Sequence, residues 1–373
     1  MASQIKAKNT LLIIPKMTQI PPASIDEFKN GITHPLLYLW DAWSYREGNA
    51  LHLYCLAVSR VKSDGTPLLP HERNNFPFHI RHFISADNGT NWKDEGCFLE
   101  PSELLTMADF YTIWSGSVEM LPDNKKLVAF TGLEKVDSKH TFIQNIALGV
   151  SKDGYSVDEI QDVTLSSPLR DWEEINKLGY YIDAPEKLGC NDGENDGPIL
   201  AWRDPFIFID KSGGINLFWG GKVTSHKGAL VRATLEKNGD QYKIAKLYPP
   251  VTVPDGDEFT QLELPKIVHD KERDLYYLMI STCKRLYEGQ PDSEVDKCVR
   301  MYKANTIDGP WESLGNKILG AENLFGPTIL EADFENNRLR CIAPYTDAAE
   351  DSLSLTFSPL FYVHLDTMRV EFF

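Results

Sequence analysis

The chain has 373 residues, 42% of them hydrophobic and 25% charged, with a formal net charge of −16. These are globular proportions, and the lack of any Lys/Arg-rich run excludes a phosphate-gripping nucleic-acid surface. No stretch approaches the ~20 apolar residues of a membrane span, and six scattered cysteines without a CxxC pair suit a reduced chain rather than a disulfide framework or zinc site.

Taken in order, the N-terminal MASQIKAKNTLLIIPKM lacks a signal-peptide pattern, because its apolar run from Leu11 to Ile14 is short and closed by Pro15. A cytoplasmic location is therefore expected. Residues 1–35 read as an N-terminal extension packed on a single domain formed by residues 36–373. Capping-box patterns predict helical turns over 21–31 and 102–111. Otherwise short strand-like runs dominate: 50–60, 78–87, 126–134, 145–153, 204–210, 215–223, 275–281, 298–304 and 353–365. Many alternate apolar with polar, as half-buried antiparallel strands do. The fold class is all-β.

A weak repeat overlies these strands. SADNGTNW (85–92), SKDGYSV (151–157) and TIDGPWE (306–312) each set a small polar turn before an aromatic residue. Recurrence tens of residues apart fits the blades of a β-propeller, five of which suit this length; a β-sandwich with unrelated hairpins is the other architecture that such turns allow.

Three acids stand inside apolar or aromatic segments: Asp41 in LYLWDAWSY, Asp204 in AWRDPFIFI and Glu263 in FTQLELPKIV. Such placement is costly unless the acid is paired, hydrogen-bonded or needed. Two carboxylates of different proton affinity can cut a glycosidic bond, and a third can hold the sugar. Trp40 and Trp43 flank Asp41 and offer a wall for a sugar ring; alternatively Asp41 caps a turn or pairs with Arg46. WSGS (114–117) brings Trp114 and a hydroxyl, Ser115, able to donate to a carboxylate or sugar, with Gly116 admitting a ligand close to the backbone; a plain strand bulge is the alternative. Arg203 and Asp204 point to opposite faces unless the backbone bends, and Pro205 is expected to hold Asp204 extended. Gln261 and Glu263 share a strand face, so Gln261 can orient Glu263 or bind a hydroxyl. Glu263 among apolar residues suits a general acid, or is simply solvent-facing. His79 and His82 read as sheet residues, and the acidic loop 191–197 as solvated, since it lacks EF-hand spacing. No metal or cofactor is expected.

Taken together, these motifs resemble the levansucrase, inulosucrase and β-fructofuranosidase family of glycoside hydrolases, family 68, in a short and divergent form related to the invertases. Trp40-Asp41-x-Trp43, the complete WSGS, Arg203-Asp204-Pro205 and an HxRxFxSxDxGxxW-like segment from His79 to Trp92 carry the likeness over residues 36–315. The resemblance implies a five-bladed β-propeller with a central acidic pocket. It also implies Asp41 as nucleophile, Asp204 as transition-state stabiliser and Glu263 as acid/base, with Trp40, Trp114, Ser115 and Arg203 shaping the fructosyl subsite. The family's E-x-E-R reads Gln261-Leu262-Glu263-Leu264 here, which puts the leaving-group side in question; Lys284 or Arg285 is the candidate replacement for a lost arginine. Thr260 stands where some members have a calcium ligand, so no structural calcium is expected. The expected partner is a small sugar, sucrose or a related β-fructoside, with no nucleic acid or membrane. A fructosyltransferase, a hydrolase of a phosphorylated sucrose analogue read by Lys284, Arg285 or Arg300, and a catalytically silent sugar-binding propeller are the rivals.

Overall fold

Strand pairing in this protein is local: each strand bonds to the next in sequence, four at a time. The computed structural model describes residues 31–101, 110–137, 142–189, 200–287, 290–291, 294–315, 317–346 and 352–373. Among these residues, twenty strands form five antiparallel sheets. The first holds β1 (Leu37–Glu47), β2 (Ala50–Ser59), β3 (His79–Ser85) and β4 (Lys93–Leu99). The second holds β5 (Phe110–Met120), β6 (Lys126–Glu134), β7 (Ile143–Ser151) and β8 (Glu159–Ile160). The third holds β9 (Arg203–Ile209), β10 (Ile215–Thr224), β11 (Lys227–Asn238) and β12 (Gln241–Leu247). The fourth holds β13 (Gln261–Asp270), β14 (Leu275–Cys283), β15 (Lys297–Ala304) and β16 (Glu312–Ser313), and the fifth β17 (Thr328–Asp333), β18 (Arg338–Ile342), β19 (Phe361–His364) and β20 (Arg369–Phe372). The first strands touch in sequence, β1 to β5 to β9 to β13 to β17, and β17 returns to β1. The sheets are blades of a closed five-bladed propeller, and the innermost strands line its axis.

The core is divided rather than central. Each of five apolar clusters lies between two neighbouring blades. Trp202 and Trp219 meet edge to face in the cluster between the second and third blades, and each buried ring of that size contributes roughly 2–3 kcal/mol of transfer free energy. Because a blade packs on both faces, its inner strands read as continuous apolar runs; β2 is buried at all positions but its ends. The rim strands do not: β12 is exposed or half-buried at every position but Leu247.

Two expectations about elements need correction. The run 353–365 is not one strand, because Leu355 turns with φ +55° and Pro359 interrupts the ladder, so only Phe361–His364 pair. A short helix, α1 (Trp172–Lys177), lies between the second and third blades and was not anticipated. The helical turns expected at 21–31 and 102–111 lie almost wholly outside the described residues, as do the acidic loop 191–197 and most of the 1–35 extension. Phe110 and Tyr111 open β5. From the end of the extension, Ile32 packs between the first and last blades, and His34 reaches buried Asp94 at 3.2 Å.

Candidate active site

Every innermost strand breaks register at least once, and β5 does so twice. In β1, Trp40 pairs with Leu56 and Ala42 with Cys55, which leaves Asp41 unpaired. In β5, Trp114 pairs with Thr131 and Gly116 with Phe130, which leaves Ser115. In β9, Arg203 and Phe206 pair with Gly220 and Phe218, so Asp204 and Pro205 share the space opposite Trp219. In β13, Glu263 and Lys266 pair with Ser281 and Met279, so Leu264 and Pro265 oppose Ile280. β17 does the same at Leu330. A bulge frees one residue from the ladder and re-aims it. Three of these positions have positive φ: Asp41 (+24°), Asp204 (+64°) and Leu264 (+53°). That costs about 1–3 kcal/mol per residue and persists only where surrounding bonds impose it.

Those bonds run across blades. Ser115 Oγ donates to Asp41 Oδ2 at 2.8 Å. Thr131 Oγ1 accepts the Asp204 N–H at 2.9 Å and donates to the Ser115 carbonyl at 3.3 Å. The Leu264 N–H donates to Asp204 Oδ2 at 3.3 Å. One relay therefore ties Asp204 on the third blade, through Thr131 and Ser115 on the second, to Asp41 on the first. The bend at Asp204 also corrects the expectation from Pro205: the residue is left-handed, not extended. It brings Arg203 and Asp204 toward the same pocket, with Arg203 Nε 3.9 Å from Asp204 Oδ2.

Arg203 links the acids on its other side. Its Nη2 donates to Gln261 Oε1 at 3.2 Å and to Glu263 Oε1 at 3.4 Å, and Nη1 is held by the Leu200 carbonyl at 2.9 Å. Gln261 and Glu263 thus share a face, as their spacing requires. The Cys283 thiol lies 3.6 Å from Glu263 Oε1. The side chain of Glu263 is 19% exposed against 6% for Asp204, so Glu263 can exchange protons with solvent while Asp204 is enclosed.

Trp40 packs edge-on against Phe78, and the Arg73 guanidinium lies over its ring at 5.7 Å. Trp114 stays half-buried, with the Arg203 guanidinium 5.9 Å above it. Trp43 is a correction. It is 1% exposed and stacks on Tyr54 inside the cluster between the first two blades, because its partner across the ladder points there. It supports the strand that carries Asp41 and does not wall the pocket. Gly116 serves another purpose than ligand approach: a Cβ there would lie 2.1 Å from the Ala129 carbonyl, so the close neighbour is β6. Arg46 pairs with Asn88, not Asp41. Lys284 is exposed, and Arg285 Nη1 is held by the Gln290 carbonyl at 2.6 Å. Arg300 bonds to Asp255 and Glu258 in the connection between the third and fourth blades.

Sequence reasoning missed Thr131, Gly326, Arg73 and Lys266. Gly326 has φ +61°, and a Cβ there would lie 2.5 Å from Leu264 Cδ1 and 3.7 Å from Asp41 Oδ1. Lys266 is 5% exposed and donates to the Leu264 carbonyl at 3.3 Å. The one available signal was a lysine in the apolar run LPKIV.

Burial raises Asp41 above the usual carboxylate range; the Ser115 bond pulls it back, the Glu263 charge pushes it up, and Arg73 and Lys266 pull it down. Burial pushes Asp204 up to about 7, against Arg203 and with the charges of Asp41 and Glu263. Burial pulls Lys266 down to about 8 against the fields of Asp204 and Asp41. The site is a set of interacting acids and cations, largely withdrawn from solvent, where small rearrangements of charge have large effects.

Solved structures share this architecture. An inulosucrase from Halalkalicoccus jeotgali bound to kestose superimposes with a TM-score of 0.62 at 18% identity, over 94% of this chain and 90% of that one. A Bacillus megaterium levansucrase variant gives a TM-score of 0.63 at 15% identity, over 90% and 84%. This chain has the levansucrase fold. A levansucrase variant complexed with sucrose, at 14% identity, covers 95% of this propeller and 90% of its own chain with a TM-score of 0.61. In sequence, the insoluble isoenzyme 1 of carrot (Daucus carota) β-fructofuranosidase is 28% identical over 172 residues, which span 46% of this propeller's chain and 24% of that enzyme. No family model matches.

Proposed function

We propose that this propeller is a retaining β-fructofuranosidase-like enzyme acting on sucrose or a related β-fructoside. The observation that carries the reading is the convergence of Asp41, Asp204 and Glu263, with a hydroxyl bonded to the first and Arg203 within reach of the other two. Fold likeness to levansucrases and an inulosucrase supports it at the level of architecture.

In this reading the Asp41 carboxylate attacks the anomeric carbon of the fructosyl unit, forming a carbon–oxygen ester bond as the glycosidic bond breaks. Glu263, more solvent-open than Asp204, gives its proton to the departing oxygen. Water then attacks the same carbon, Glu263 takes back a proton, and Asp41 leaves as carboxylate, so configuration is retained. Asp204, anchored by the Leu264 and Thr131 bonds, holds the fructosyl hydroxyls. Arg203 keeps Glu263 and Gln261 in register. Transfer to a sugar acceptor in place of water uses the same steps.

Incubation with sucrose tests this directly, with free glucose, free fructose and longer products as readouts. Asp41→Asn is expected to abolish turnover, by ~10⁴-fold or more, without changing the circular dichroism spectrum. If sucrose and a panel of plain and phosphorylated β-fructosides all stay intact while calorimetry detects binding, a silent sugar-binding propeller replaces this reading.

A further inference from the structure

β13 carries an anomaly that the fructosyl chemistry leaves unused. Residues paired directly across antiparallel strands share a face. Glu263 faces Ser281, Lys266 faces Met279, and Ser281 and Met279 are two apart on β14. The bulge at Leu264 and Pro265 therefore moves Lys266 onto the face of Glu263. An uninterrupted strand would have turned it the other way.

Lys266 is then enclosed. An ammonium has three protons to donate, and the hydrogen bond that Lys266 makes goes to the neutral Leu264 carbonyl. Burying such a charge costs several kcal/mol unless opposite charge answers it. The same Leu264 locates that charge. Its N–H holds Asp204 Oδ2, and its side chain packs at Gly326, where a Cβ would be 3.7 Å from Asp41 Oδ1. The carboxylates whose fields act on Lys266 are Asp204 and Asp41. The charged groups acting on Asp41 are Glu263, Arg73 and Lys266, and those acting on Asp204 are Arg203, Asp41 and Glu263. Arg203 reaches Asp204 and Glu263, and Arg73 lies over Trp40. Lys266 is the enclosed cation of this set on which both Asp204 and Asp41 act.

We propose that Lys266 is a positioning residue: its ammonium, brought onto the face of Glu263 by the β13 bulge, keeps Asp41 in the carboxylate form required of a nucleophile. The proposal deepens the fructosidase reading and rests on it for its catalytic meaning, but the charge coupling exists whether or not that reading holds.

The experiment therefore uses a readout independent of turnover. The full-length protein is labelled with ¹³C at aspartate carboxyls, and the Asp41 resonance is assigned by its loss in Asp41→Asn. In Lys266→Met the Asp41 titration midpoint should rise by one pH unit or more, and in Lys266→Arg it should stay within half a unit of wild type. With active wild type, the acidic limb of kcat/KM should move up by the same amount in Lys266→Met. Should Lys266→Met fail to fold, Lys266→Gln takes its place in both measurements. An unmoved Asp41 midpoint in the folded, charge-removed variant would overturn the proposal, even if activity fell. Wild type inert toward every fructoside, with the Asp41 midpoint still displaced by Lys266→Met, would instead overturn the fructosidase reading and leave the coupling standing.

Discussion

Ser115 on the second blade donates to Asp41 on the first, Oγ to Oδ2 at 2.8 Å, across 74 residues of sequence. This bond favours the charged form of an acid whose burial favours the neutral one. Ser115→Ala should therefore move the acidic limb of the kcat/KM profile to higher pH. A hydrogen bond to a charged group is worth about 1.5–3 kcal/mol, so kcat/KM at neutral pH should fall by roughly 10–100-fold. A loss of rate with the limb unmoved would mean that the hydroxyl serves the substrate and not Asp41.

Asp204 sets a stability cost with a definite sign. Its folded value, raised to about 7, exceeds that of an unfolded aspartate, about 3.9. Between those values the folded state holds more protons, so stability falls as pH rises from about 4 to 7. Asp204→Asn removes the cost, and asparagine tolerates the positive φ. The variant should unfold at a Tm about 2–4 °C higher at pH 7, with the gain vanishing near pH 4, while turnover is lost. Thermal melts across that range check both halves.

Thr131→Val keeps the shape of the side chain and deletes the middle of the relay. The buried Asp204 N–H would then lack its partner, at a cost of about 1–3 kcal/mol. Denaturant titration should show that loss as a lower midpoint with an unchanged slope.

Gly326→Ala adds one carbon where Leu264 already sits, at a backbone angle that disfavours any side chain. Leu264 must shift, and with it the N–H that holds Asp204. Activity should fall by about 10-fold or more and stability by about 1–2 kcal/mol or more, the cost of a left-handed alanine plus the displaced Leu264. Steady-state kinetics beside a thermal melt will separate the two effects.

The propeller was legible because its turns repeat. The polar turns at 85–92, 151–157 and 306–312 each join the third strand of a blade to the fourth, and Gly89, Gly154 and Gly309 hold positive φ in them. The equivalent turns of the third and fifth blades use Gly239 and Met368, a wording too different to recognise. Rim strands such as β8 and β16 are two residues long and exposed or half-buried, so they leave no apolar pattern. The likeness in sequence faded after residue 315, yet the fifth blade is complete in β17 to β20. Asp41, Asp204 and Glu263 stood out because acids in apolar strands are costly. Trp43 misled because adjacency in sequence says nothing of face once a bulge intervenes. Lys266 was hidden for the same reason, its face being set by a two-residue bulge that strict alternation cannot reveal.

Among the described residues, the first and last blades exchange no strand. Side-chain packing and a few cross-bonds, such as Leu39 N–H to the Leu355 carbonyl and Ser44 to the Ile329 carbonyl, fasten the ring there. That seam runs beside Asp41. A molecule that gapes at the seam keeps all its hairpins yet pulls the blade of Asp41 off the one that shields it, so on the proposed reading mild heating or dilute urea should abolish turnover before far-ultraviolet spectroscopy registers any melting.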